Sequence, residues 1–131
     1  MTKQILTSPG LPPPVGVFSQ ATSIDNPKKI IFVSGLTSRG PSGEVMHPGD
    51  VKSQTRLILE NMKAILREGG ATLEDVVRVT VYVRNMADFA AIHEVRREYF
   101  PKDPPASTMV EVSRLVDERM LIEIEATAVL N

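Results

Sequence analysis

The longest proline-free stretch runs from Gly49 to Phe100, and its apolar positions fall into three clear patterns. Val51, Thr55, Ile58, Met62 and Ile65 recur at intervals of 4, 3, 4 and 3, with Leu59 and Leu66 widening the stripe. This is the period of an amphipathic helix. Asp50 is placed to cap its N-terminus, and Gly69-Gly70 to end it. Positions 76–83 then read VVRVTVYV. Val77, Val79, Val81 and Val83 are predicted on one face of a strand, with Arg78, Thr80 and Tyr82 on the other. Phe89, Ile92, Val95 and Tyr99 mark a second helix that Pro101 stops.

The flanks are strand-like. Positions 29–35 (KIIFVSG), 105–114 (PASTMVEVSR) and 121–130 (LIEIEATAVL) each predict a strand, and 3–8 with 19–24 predict an early hairpin. In the last strand Ile122, Ile124, Ala126 and Ala128 alternate with Glu123, Glu125 and Thr127. The order β-β-β-α-β-α-β-β describes an α+β domain. Two helices can cover one face of its mixed sheet. The other face keeps Arg78, Thr80, Tyr82, Glu123, Glu125 and Thr127, which suits either a solvated surface or a polar subunit interface.

Composition narrows the chemistry. The 131 residues are read as one domain, 1–131. There is no cysteine and only two histidines, His47 and His93, so thiol nucleophiles and Cys- or His-rich metal sites are excluded. The net charge of −1 offers no field for nucleic acid or anionic lipid. No leader pattern and no apolar run of about 20 residues occurs, so a cytoplasmic, membrane-free chain is expected.

Several blocks carry a resemblance that spans nearly the whole chain. GVFSQAT (16–22), IIFVSG (30–35), QTRLILENMKAIL (54–66), the stretch 75–100, PASTMVEVSRL (105–115) and IEIEATAV (122–129) are similar to the Rid/YjgF proteins. These are the reactive intermediate deaminases, RidA-like, also called the L-PSP endoribonuclease family. The resemblance implies a chorismate-mutase-like fold. It implies a homotrimer with sheets inward, helices outward and a pocket at each subunit interface. It also implies cofactor-free, metal-free hydrolysis of enamines and imines, such as 2-aminoacrylate, to a carbonyl product and ammonia.

The residues it singles out depart from the family pattern. Where the family block reads PARSxVEV, Ser107 stands at the carboxylate-binding arginine, and Met109 follows it. GPYSQ reads GVFSQ, with Phe18 for a pocket tyrosine; SGQ reads SGL, with Leu36 after Ser34 and Gly35; NEVY reads HEVR, with His93 and Arg96 for asparagine and tyrosine. Glu123, the first glutamate of IEIEA, is retained as the candidate that orients the hydrolytic water. The substrate-binding candidates are therefore Phe18, Ser34, Gly35, Leu36, His93, Ser107 and Met109. The chain resembles an arginine-lacking subgroup, in which a single Ser107→Arg exchange would be expected to restore activity on small 2-imino acids, given room in the cavity. Arg39, Arg96 and Arg114 are the candidate replacement clamps.

The plain alternatives stand beside these readings. Glu123 and Glu125, about 7 Å apart along the strand, could simply be solvated or paired with Arg78. His93 could be a packing residue, and the arginines could be surface groups. At the level of function, a binding-only trimer competes with the deaminase. The acidic pI of about 6.1 and the lack of a basic stripe argue against ribonuclease activity.

Overall fold

The computed structural model describes residues 3–131. Its elements are β1 (Gln4–Leu6), β2 (Ala21–Ser23), β3 (Lys29–Leu36), α1 (Val51–Glu68), β4 (Val76–Val83), α2 (Phe89–Tyr99), β5 (Ala106–Glu111) and β6 (Ile122–Leu130). β1 and β2 form an antiparallel ribbon. The other four strands form one mixed sheet in the order β3-β6-β4-β5. All its pairs are antiparallel except β4–β5, which α2 connects as a crossover.

α1 starts and stops where its sequence directs. The Asp50 carboxylate accepts the Ser53 backbone N–H at 3.0 Å and the Ser53 hydroxyl at 2.7 Å. At the far end Gly70, at φ +80°, donates to Arg67 O, and Ala71 donates to Leu66 O. That pair of bonds satisfies the last carbonyls, and the left-handed backbone it needs suits only glycine cheaply.

Both helices pack on one face of the sheet. Ile58, Leu59, Met62, Leu66, Ile92 and Val95 meet Val79, Val81, Ile122, Ile124, Ala126 and Ala128, all at most 5% exposed. Two bulges modify the simple alternation. At the start of β4, Val76 faces Ala128 and Arg78 faces Thr127, so two steps on one strand match one on its neighbour. The consequence is that Val76 joins the core while Val77, expected there from the alternation, is only half-buried. The second bulge lies in β3, between Val33 and Leu36, and contains Ser34 and Gly35.

The opposite face is left to itself. It carries the polar residues expected, and Tyr82 Oη donates to Glu125 at 3.0 Å. That bond raises the tyrosine pKa. It also carries Phe32, 79% exposed, with Ile30 and Val110. Apolar side chains on an uncovered sheet are unusual for a surface that meets only water.

Candidate functional site

The site residues fall into two groups, one at each side of the sheet. Glu123 begins β6. Its approach is fixed by Gln54, fully buried in the first turn of α1. The Gln54 amide accepts from Leu121 N at 2.9 Å and donates to Arg119 O at 2.9 Å and His47 O at 3.1 Å. The first two bonds hold the chain just before Glu123 and the third ties it to the loop before α1, an anchor the periodicity alone does not reveal. His47 is a loop residue in the left-handed region.

The β3 bulge then brings Gly35 against the Glu123 carboxylate. A Cβ on Gly35 would overlap the Glu123 side chain, so the absence of one is what lets the carboxylate lie there. Beside them is an open cavity of about 410 Å³, lined by Gly35, Leu36, Arg39, Asn61 of α1, Val116 and Glu123. It contains a carboxylate, a guanidinium and an amide, a lining suited to a small polar molecule and a water. Among the described residues Arg78 is paired with neither Glu123 nor Glu125.

The second group lies on the helix-covered side. Ser107 and Met109 on edge strand β5 sit opposite Val79 and Val81 of β4, whose side chains are in the core. Parallel neighbours in register point to the same face. Glu123 sits opposite Tyr82, on the open face. In a single chain Ser107 and Glu123 are therefore on opposite sides of the sheet, and the cavity beside Glu123 is not lined by Ser107. Ser34, exposed in the bulge, sits with the Glu123 group.

Around Ser107 stand residues of α2 and of the segment before β2. Ser19 bridges to Ala106, its N–H donating to Pro105 O at 3.1 Å and its hydroxyl to Pro104 O at 2.5 Å. This lays Gly16–Ser19 along the sheet edge, with Phe18 half-buried. Arg96 is not the surface arginine its charge suggests. It is 1% exposed, and its Nη2 donates to Val17 O and to Ser107 Oγ, both at 3.1 Å. Burial pulls its pKa down to about 10. The signal was present in the sequence: Arg96 lies four residues after Ile92 and seven after Phe89, inside the apolar stripe.

His93, one turn earlier, is 4% exposed. Its Nδ1 lies 2.9 Å from Phe89 O and its ring 4.0 Å from the Phe89 ring. Nε2 abuts Gly16, where a Cβ would overlap it. His93 is thus a packing residue that holds the Gly16 segment, with its polar edge turned inward. Burial, then Arg96 and Arg97, hold its pKa below the ordinary 6.5. The unfolded chain should take up this proton before the folded one does. Stability is expected to be flat above about pH 6.5 and to decline as the pH falls below it, and His93→Asn should flatten that decline. Urea midpoints measured from about pH 5 to 8 check it; an unchanged slope in the variant would assign the decline to other groups.

Arg114 lies elsewhere, in a hollow of about 780 Å³ shared with Arg84, Asp117 and Arg119. Asp117 already engages Arg119 through two bonds of 2.8 and 3.0 Å. Neither Glu123 nor any of the substrate-binding candidates Phe18, Ser34, Gly35, Leu36, His93, Ser107 and Met109 lines that hollow. Among the described residues no helix is long and apolar enough to cross a membrane.

The family model described as Endoribonuclease L-PSP matches residues 10–130. The chain belongs to the Rid/YjgF family. A RutC family protein of Pyrococcus abyssi is 46% identical over 129 residues, covering 98% of both chains. The 3-aminoacrylate deaminase RutC of Acinetobacter baylyi is 41% identical over 128 residues, again covering 98% of both. Among solved structures, the Rid-family protein YyfB of Yersinia pestis superposes with a TM-score of 0.90 at 34% identity, covering 99% of this chain and 100% of that one. The Rid fold accounts for the two helices on one sheet face.

Proposed function

We propose that this Rid protein is a hydrolytic deaminase of small enamines and imines, releasing ammonia and a carbonyl product. The observation that carries the reading is the Glu123 carboxylate held against Gly35 in the lining of a cavity that also contains Arg39 and Asn61. The enamine first tautomerises to the imine. Water then adds to the imine carbon, its oxygen forming the new C–O bond while Glu123 takes a water proton. Glu123 returns that proton to the nitrogen, giving a carbinolamine. The hydroxyl proton then passes to the amine, the C–N bond breaks as the C=O bond forms, and ammonia leaves. The barrier is low in water already, so positioning of water and substrate supplies most of the acceleration.

The reading includes a homotrimer. Ser107 and Glu123 lie on opposite sides of one chain's sheet, so a pocket using both needs two copies. The uncovered face with Phe32, Ile30 and Val110 offers the contact surface. Substrates to test are 2-aminoacrylate and, because a 41% identical relative is a 3-aminoacrylate deaminase, 3-aminoacrylate. In the latter, water attacks one carbon further from the carboxylate.

The test is ammonia release above the uncatalysed rate, with either substrate generated in place. Light scattering on the same sample should give about 43 kDa, three chains of 14.4 kDa. A stable monomer would remove the two-chain pocket. No ammonia from either substrate would favour the second reading, a binding-only trimer. That reading draws its support from Ser107, since loss of the family arginine removes a two-pronged carboxylate clamp.

A further inference from the structure

We infer that this chain keeps a carboxylate-binding cation but carries it on α2 instead of β5. Arg96 acts through the hydroxyl of Ser107, which is the group that meets the substrate carboxylate. The inference rests on the proposed pocket and names how its anion is recognised.

Three observations carry it. Arg96 is buried, and no carboxylate of the described residues lies within ion-pair distance of it. A guanidinium in that position leaves its charge without a counter-ion. Its Nη2 fills a lone pair of Ser107 Oγ. The serine O–H is then free to donate, and a hydroxyl that accepts from a cation is a better donor. Finally, Ser107 is only half-buried, whereas Arg96 is closed off, so the hydroxyl is what an arriving ligand reaches. The second Nη2 bond, to Val17 O, fixes the guanidinium in place and ties it to the strap that carries Phe18.

The arrangement offers one donor backed by a charge where a strand arginine would offer a two-pronged fork. It should hold a monoanion more weakly and with less demand on orientation. Carboxylates at different distances from the reacting carbon would then be accepted.

The test measures binding, so that it is separate from turnover. The probes are pyruvate and 3-hydroxypropanoate, with their methyl esters as uncharged controls, followed by ligand NMR titration. Wild type should bind at least one acid about tenfold more tightly than its ester. Ser107→Ala should weaken the acid about 10- to 150-fold and leave the ester unchanged, and Ser107→Thr, which keeps the hydroxyl, should restore it. A purely structural Arg96–Ser107 contact would move acid and ester together. The inference is overturned if wild type binds neither acid, if acid and ester bind alike, or if Ser107→Ala binds the acid as wild type does. Charge-selective, Ser107-dependent binding without ammonia release would overturn the deaminase reading and leave this one standing; ammonia release with Ser107-independent binding would do the reverse.

Discussion

Replacing Glu123 with Gln should lower kcat on the preferred enamine about 100- to 10,000-fold, with a much smaller change in KM. That is the usual worth of a positioned proton-transfer group. The substitution keeps the size of the side chain and its place against Gly35, so the fold should not register it. A second variant separates the presence of the carboxylate from its position. Gly35→Ala leaves Glu123 intact but puts a methyl where the carboxylate now lies. The side chain must swing away, and kcat should fall although no titratable group was removed. Both variants should melt within a few degrees of wild type, Gly35 being at an exposed bulge. Steady-state ammonia release with thermal melting decides it. Retention of wild-type kcat by Glu123→Gln would take the water-activating role away from this residue.

Ser107→Arg alone should not restore a two-pronged clamp, although sequence comparison by itself suggests that it would. Arg96 Nη2 already stands 3.1 Å from the Ser107 oxygen and is closed off from solvent. A second guanidinium there would face the first. Two like charges about 4 Å apart repel by about 4 kcal/mol at an effective dielectric of 20. The single variant should therefore melt earlier and gain little on 2-imino acids. Adding Arg96→Tyr, the residue type the family block carries there, removes the repulsion and fills the space with a ring. The double variant should recover stability and gain about 10- to 150-fold in kcat/KM on 2-iminopropionate, the value of one charged hydrogen-bonding partner. Melting temperatures and kcat/KM of the two singles and the double form a cycle whose coupling term is the quantity of interest. Additive behaviour would show that positions 96 and 107 do not share one anion site.

Much of the scaffold was legible without coordinates because it is dictated locally. The 3.6-residue stripe of α1, its Asp50 cap and its Gly-Gly stop lie within one stretch of chain, and the helix runs from Val51 to Glu68 as expected. The alternation of β6 likewise needs only its own residues to divide core from open face. The first miss comes where pairing enters. Val77 belongs with the core by strict alternation, but a bulge formed against β6 gives that place to Val76.

For the site, sequence determined which residue types are present and which departed from the family pattern: Glu123 and Gly35 kept, the arginine lost at 107, an arginine gained at 96. Tertiary structure decided what those changes mean. Glu123 meets Gly35 only because β3 and β6 pair with a bulge, a contact between residues 88 positions apart in the chain. Ser107 and Glu123, both strand residues in matched blocks, are on opposite faces because the β4 register puts one beside Val79 and the other beside Tyr82. Arg96 becomes a buried partner of Ser107 because α2 crosses over between β4 and β5 and lays its stripe on that edge. Periodicity assigns a residue to a face of its own element, but only the packing of elements against one another assigns that face a neighbour.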